Sequence, residues 1–426
     1  MRGPWLAVGR FRVVALVSGF LVIPPMPATA VAPPTRASYV VSLSPNAGDP
    51  DVFAAGEAHT VGLSVLHVYH AALRGFAAEL SPAARGALLA DPRVMSIEAD
   101  RPVAGAGQII PTGIRRIHGD LSPSAAIGGV DHPAINVNVA VLDTGIDVHH
   151  PDLNVVGGAD CTKGTGYEDR YGHGTHAAGI IGAINNTIGV VGVAPGARLW
   201  AVKVLDDQGN GTTSELLCGI DWVTSTRTDS DPNNNIAVAN LSVGGPGSDD
   251  GHCGQTDSDL LHQAICRSVA AGVTYVAAAG NDHIDVATVA PAAYHEVITV
   301  SALADSDGKP GGTGGSPSCR NEVDDTLADF SNYGAGVTLI APGVCILSTL
   351  PVHGTTQGDS RGYGTLSGTS FAAPHVTGAA ALWLSKHPGA TPAQVRAALI
   401  AAGNYNWDNR NDPDGIKEPL VDVSTF

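Results

Sequence analysis

The chain's 426 residues exceed what one average domain needs, and 40 acidic against 23 basic side chains leave a formal charge of −17. That charge repels nucleic acid, disfavours an anionic membrane surface as partner and makes calcium a natural counter-ion. No stretch approaches about 20 uninterrupted apolar residues, the length a membrane-spanning helix needs.

In chain order, Arg2, Arg10 and Arg12 precede the apolar run Val13 to Ile23, which leads through Pro24 and Pro25 to the small-residue site Ala28-Thr29-Ala30. This pattern predicts a secretory signal peptide over residues 1–30, hence a secreted, soluble protein with no membrane attachment after its removal. Tyr39 to Leu43 alternates like a strand, Leu66 to Leu80 carries apolar residues through Tyr69, Ala72 and Phe76, and Val94 to Ile97 reads as a second strand. Together they predict a small α+β domain within residues 31–107. It ends in the loop Asp100 to Gln108, whose alanines and glycines suit a cleavable linker.

From Val137 the texture changes. Val137 to Leu142, Leu199 to Leu205, Ile236 to Val243 and Val273 to Ala279 read as buried strands, separated by helices at Thr175 to Ile184, Thr213 to Val223 and Asp259 to Ala271. Such alternation predicts an α/β domain over 108–426, a doubly wound, mostly parallel sheet flanked by helices. Functional groups then belong just past the carboxyl ends of strands, where Asp143 and Asn281 fall. The stretch Asp305 to Asp325 reads as a surface loop that Cys319 pins down. Six cysteines in an exported chain predict three disulfides out of fifteen possible pairings. Pairing in sequence order, Cys161–Cys218, Cys253–Cys266 and Cys319–Cys345, is the expectation. No CxxC or HExxH spacing supports zinc.

Three glycine-flanked motifs carry the chemistry. Val139-Ala140-Val141-Leu142-Asp143-Thr144-Gly145 ends a strand on a carboxylate, and Gly172-His173-Gly174-Thr175-His176 opens a small-residue helix with a histidine. In Gly368-Thr369-Ser370-Phe371-Ala372-Ala373-Pro374 a glycine-rich turn becomes an alanine-rich helix, which exposes a serine and aims free N–H groups at any oxyanion formed there. Pro374 is expected in the first turn, where a missing N–H costs little. Singly, the aspartate is a turn or cap residue and the histidine is structural. Jointly they supply an orienter, a base and a nucleophile, in the chain order Asp143, His173, Ser370. An aspartic-protease reading of Asp-Thr-Gly requires a second such carboxylate, and no other Asp-Thr-Gly or Asp-Ser-Gly exists.

On these residues the chain resembles the subtilisin-like serine proteases, with loop lengths similar to the subtilisin and proteinase K branch, from Gln108 to about Leu384. The resemblance implies Ser370 as nucleophile, His173 as general base and then acid, Asp143 as the carboxylate that fixes the imidazole tautomer, and Asn281 as oxyanion donor. It implies substrate binding along Ser242-Val243-Gly244-Gly245, by addition of a β-strand, and at Ala278 and Gly280. Methionine often follows the nucleophile in such families; here Phe371 stands there.

The same resemblance implies structural calcium. Asp152, Asn186 and Gln108 would offer side-chain oxygens, and Ile184, Ile188 and Val190 their carbonyls. A second site of this branch needs an aspartate where Thr338 stands, and Arg410 stands where an EF-hand loop in the acidic tail would start, so neither is assigned. Residues 37–104 resemble the family's inhibitory prosegment through Tyr39-Val40-Val41-Ser42-Leu43 and Gly75-Phe76-Ala77-Ala78-Glu79-Leu80. The expectation is therefore a monomeric zymogen that acts on proteins and peptides, is inhibited by its own prosegment and cleaves itself between Asp100 and Gln108. A binding protein that keeps its prosegment as a plug is the rival from another class, and a processing protease with a single target is a third reading.

Overall fold

The computed structural model describes residues 36–100, 107–128, 134–164, 166–352 and 361–426; the expected signal peptide and most of the expected cleavage loop lie outside them. The chain divides at residues 104/105 into two compact units.

In the first unit, β1 (Ala37–Leu43) pairs antiparallel with β3 (Gly75–Leu80) and β4 (Val94–Ala99), and β2 (Ser64–Tyr69) pairs with β3. Helices α1 (Pro50–Thr60) and α2 (Pro82–Ala90) follow β1 and β3, capped by the side chains of Asp49 and Ser81, with a proline opening each. One apolar layer closes the unit, including Val41, Phe53, Phe76, Ala78, Leu80 and Leu88. The stretch 66–80 is a β-hairpin. Phe76, Ala77 and Ala78 are all buried, a continuous run of the kind a covered strand shows, against the wider helical spacing from Tyr69.

The second unit begins with α3 (Thr112–Arg116), β5 (Asn138–Asp143), β6 (Val155–Asp160), α4 (His173–Gly182), β7 (Arg198–Lys203), α5 (Thr213–Ser225), β8 (Val238–Leu241) and β9 (Gly245–Pro246). It continues with α6 (Leu260–Ala270), β10 (Thr274–Ala278), β11 (Val289–Ala290), β12 (Ile298–Ala304), β13 (Thr326–Leu327), β14 (Leu339–Pro342), β15 (Ile346–Thr349), β16 (Tyr363–Leu366), α7 (Thr369–Lys386) and α8 (Pro392–Ala402). The eight-stranded sheet runs β13-β12-β10-β8-β5-β7-β6, with β14 also on β12, and is parallel except at β13.

Residue alternation shows that both faces are covered. Val139 and Val141 of β5 join an apolar cluster with Ala177 and Ile181 of α4 and Val376 and Ala380 of α7. Ala140 and Leu142 join another with Ile220 and Val223 of α5 and Ile265 of α6. The architecture is the expected doubly wound α/β fold. Chain order departs from β5 in both directions, so the end of β5 is a topological switch point, and Asp143 stands at it.

The three disulfides pair in sequence order: Cys161–Cys218 ties the end of β6 to α5, Cys253–Cys266 ties a loop to α6, and Cys319–Cys345 pins the 305–325 segment. That segment is more than a surface loop. Asp305, Asp324 and Asp325 are buried in it, and the buried Arg116 guanidinium reaches Asp305 at 2.9 Å and Asp325 at 2.6 Å. A guanidinium supplied by α3, some 200 residues earlier in the chain, is invisible to a local reading of acidic and glycine residues.

Candidate active site

Asp143 is fully buried, its Oδ1 accepts the Thr144 N–H at 2.7 Å, and its Oδ1 and Oδ2 lie 2.8 and 2.9 Å from Nδ1 of His173. His173 opens α4 after Gly172, whose φ of 109° suits glycine. The helix can approach β5 this closely because Gly174 lacks a side chain; a Cβ there would lie 2.1 Å from the Gly145 carbonyl oxygen.

A second carboxylate braces the same turn. Asp169 accepts hydrogen bonds from the Thr144 hydroxyl, the N–H groups of Tyr171, Gly172 and Thr175, and the Thr175 hydroxyl, all at 2.6–2.9 Å. Thr144 Oγ1 in turn accepts the Gly174 N–H at 3.0 Å. Burial alone would lower the basicity of His173, but Coulomb attraction and hydrogen bonding from Asp143, with Asp169 adding, outweigh it and hold the imidazolium above the usual histidine range. His176 is pulled down to about 3 by burial and by repulsion from His173, so it stays neutral. Of the motif's two histidines, only His173 is placed to exchange protons near neutrality.

Ser370 is the second residue of α7, where helix geometry leaves its N–H without an intrahelical acceptor. The ring of the next residue, Phe371, packs 5.0 Å from the His173 ring and 4.5 Å from His176. The Ser370 hydroxyl donates to the Ser242 carbonyl at 3.4 Å, a weak bond that an incoming substrate can replace. Pro374 is the sixth residue of α7 and not in its first turn. Its missing N–H would orphan the Ser370 carbonyl, and the Ser242 hydroxyl donates to that oxygen at 2.8 Å. Asn240 Nδ2 donates to Ser242 Oγ at 2.9 Å, and the Thr377 hydroxyl donates to Asn240 Oδ1 at 2.9 Å, so the proline's deficit is met by a buried relay.

Asn281 lies just past β10. Its Oδ1 accepts from the Thr369 N–H at 2.8 Å and the Thr369 hydroxyl at 3.0 Å, which turns Nδ2, unpaired among the described residues, toward the cleft. Gly280, with φ 106°, sits against Asn332, whose Nδ2 and Oδ1 tie Ala279, Asp282 and Ile284 together. Ser242, Val243, Gly244, Ala278 and Gly280 line one cavity of about 640 Å³ with Asn281 and Ser370. Gly245, Pro246 and Val289, from the short antiparallel pair of β9 with β11, line it too.

The residues expected at a metal converge elsewhere. Gln108 Nε2 lies 2.5 Å from the Ile184 carbonyl, 3.0 Å from that of Val190 and 3.4 Å from Asn186 Oδ1. Asp152 is fully buried and accepts from Asn186 Nδ2 at 2.8 Å and the Val190 N–H at 3.0 Å, yet burial still pushes its carboxyl up. Ile188 donates its N–H to Asn186 Oδ1 at 2.8 Å. The Gln108 amide turns its nitrogen, not the expected oxygen, toward this ring. An amide rotated by half a turn would add a further oxygen to a ring of oxygens, an arrangement that suits a cation. Thr338 is buried, and its hydroxyl accepts the Thr299 N–H at 3.3 Å, so no carboxylate stands at the second site.

Sequence reading did not single out Thr369, Asp169 or the Ser242 hydroxyl. Each acts through another residue, and only the flanking glycines hinted at turns needing such anchors.

Residues 134–416 match the subtilase family and residues 38–104 match the peptidase inhibitor I9 family. Subtilisin E of Bacillus subtilis (strain 168) is 40% identical over 334 residues, covering 77% of this chain and 75% of its own length. Subtilisin of Bacillus pumilus is 41% identical over 303 residues, 70% of this chain and 93% of its own. The crystal structure of a cold adapted subtilisin-like serine proteinase superposes with a TM-score of 0.55 at 30% identity, covering 74% of this chain and 98% of that one.

Proposed function

The chain belongs to the subtilase family and is a serine endopeptidase of the subtilisin type, and we propose that Asp143, His173 and Ser370 carry its chemistry. The observation that carries this reading is the buried Asp143 carboxylate holding Nδ1 of His173 through both oxygens. That contact keeps the proton on Nδ1 and leaves Nε2 as the base toward the serine.

His173 takes the Ser370 proton as Oγ attacks the scissile carbonyl, and the oxyanion is met by the Ser370 N–H and Asn281 Nδ2. The imidazolium then protonates the leaving amine, and water repeats the sequence on the acyl-enzyme. The peptide lies as an added strand along Ser242 to Gly244, with the adjoining cavity taking its side chain.

Residues 1–30 direct secretion. The I9 prosegment inhibits the enzyme until the enzyme cuts it off within residues 100–108. Calcium would be held by Asp152, Asn186, Gln108 and the carbonyls of Ile184, Ile188 and Val190, where it would stabilise the fold by mass action.

The test is Ser370→Ala. Casein hydrolysis should fall by about 10⁶, a magnitude set by subtilisin itself, and labelling by a sulfonyl fluoride should vanish. Mass spectrometry should find the 100–108 junction intact in this variant and cut in the parent. A parent that neither labels nor cleaves would point instead to a binding protein on the same fold.

A further inference from the structure

The loop between β9 and α6 carries a cluster that belongs to neither the triad nor the Asp152 ring. Asp249 and Asp250 come from the loop itself, His262 from the first turn of α6, and His295 and Glu296 from the segment between β11 and β12. The Cys253–Cys266 disulfide already ties this loop to α6. Backbone N–H groups fix both loop acids: Gly251 and His295 donate to Asp249, and His252, Gly254 and Thr256 to Asp250, all at 2.6–3.0 Å.

His262 is fully buried and stacks on the Tyr294 ring, with centroids 4.0 Å apart and planes within 2° of parallel. Its Nε2 lies 2.9 Å from Glu296 Oε2, so the carboxylate accepts the Nε2–H and the neutral ring turns an unprotonated Nδ1 toward the loop. That Nδ1 is closed to solvent and has no hydrogen-bond partner among the described residues. It faces Asp250 Oδ1 at 3.6 Å and Asp249 Oδ1 at 3.9 Å. Lone pairs so placed repel unless a cation lies between them, whereas a proton on Nδ1 would draw one of the acids in to hydrogen-bond distance. Two ligands each about 2.1 Å from one tetrahedral ion stand about 3.4 Å apart, close to the separations seen. One ligand atom from each of Asp249, Asp250 and His262 lies within 4.8 Å of the other two.

We propose that His262 Nδ1, Asp249 Oδ1 and Asp250 Oδ1 form a site for a divalent ion of the zinc class, with water as the fourth ligand. An imidazole nitrogen between two carboxylates suits zinc and its first-row neighbours, whereas calcium takes oxygen ligands. Glu296 fixes the ring from behind, as an outer carboxylate does for a metal-bound histidine. His295 braces both outer acids, with Nδ1 3.0 Å from Asp249 Oδ2 and Nε2 3.2 Å from Glu296 Oε1. Asp249 is partly exposed, which gives the ion and its water a way in. Bound there, the ion clamps the loop after β9 onto α6, a second fastening beside the disulfide. The chain positions 249, 250 and 262 match neither CxxC nor HExxH, so no local pattern marks the site.

The test is calorimetric zinc titration, in excess calcium to occupy oxygen-only sites, of the full chain carrying Ser370→Ala and of the same chain with His262→Gln. The first is expected to bind one zinc that the second binds at least tenfold more weakly, and the zinc-induced rise in melting temperature should vanish with His262. Zinc binding of equal strength in both chains puts the ion on exposed histidines such as His295 and overturns the proposal. So does a first chain that binds none, in which Nδ1 simply carries a proton between the two acids. Should His262→Gln fail to fold, Asp249→Asn takes its place with cobalt(II) as the probe. Cobalt should give the visible absorption of a nitrogen-ligated tetrahedral ion, displaced by zinc and bound at least tenfold more weakly in Asp249→Asn, and an unchanged affinity refutes the site.

Discussion

The two sides of the cleft are built on opposite principles. On the side of β5 and α4, hydrogen-bonding capacity is consumed: Asp143 by His173 and Thr144, and Asp169 by two threonine hydroxyls and three N–H groups. On the side of β10 and α7, capacity is deliberately left over. Thr369 fills Oδ1 of Asn281 so that Nδ2 stays free, and the Ser242 hydroxyl fills the Ser370 carbonyl while the Ser370 N–H stays open. A saturated network fixes a charge and thereby the proton affinity of His173, whereas spare donors stabilise charge that arises only during reaction. The teaching is that preorganisation means satisfying every group except those the transition state will need.

Breaking the saturated side should cost most. Asp143→Asn is expected to lower kcat by about 10⁴ through the wrong imidazole tautomer. Because Asp143 raises the His173 pKa, the parent's base is neutral only above a pH higher than the usual histidine value. The acid limb of kcat/KM should therefore move to lower pH in the variant, and a pH–rate profile checks this. An unmoved limb would detach Asp143 from the base.

Removing the spare donor should cost less. Asn281→Ala is expected to lower kcat by roughly 10²–10³ with little change in KM, again a magnitude known from subtilisin, measurable with any chromogenic peptide. A smaller effect still sharpens the contrast. Thr369→Val removes the hydroxyl bond to Asn281 Oδ1 while the backbone N–H bond stays, which loosens the amide, so kcat should fall by about tenfold at most, a charge-free hydrogen bond's worth, with KM nearly constant and recovery in Thr369→Ser. A loss in KM alone would make Thr369 merely structural.

Phe371 joins the two sides, and its effect should be visible only under oxidation. Phenyl carbon cannot form a sulfoxide, so the parent should lose activity in peroxide more slowly than Phe371→Met, with equal activity before treatment. Equal inactivation rates would remove Phe371 as the source of resistance.

Most of this was legible in local sequence where one residue's chemistry and its neighbours suffice. The strands ending at Asp143 and before Asn281, the helix after His173 and the glycine-to-helix turn at Ser370 follow from apolar runs, small residues and glycines, and the cysteine pairs matched their chain order. What escaped depends on distant partners. Pro374 was tolerated for a reason supplied by Ser242, and the acids of 305–325 are buried because Arg116 reaches them.

The sequence by itself determined which groups are available and which backbone elements present them, because periodicity, capping and turn chemistry act over a few residues. Only the tertiary structure decided which atoms are satisfied and which are left free. Hydrogen bonds and burial are settled between segments as far as 304 residues apart, as between Ser122 and Phe426, and no local pattern encodes that balance.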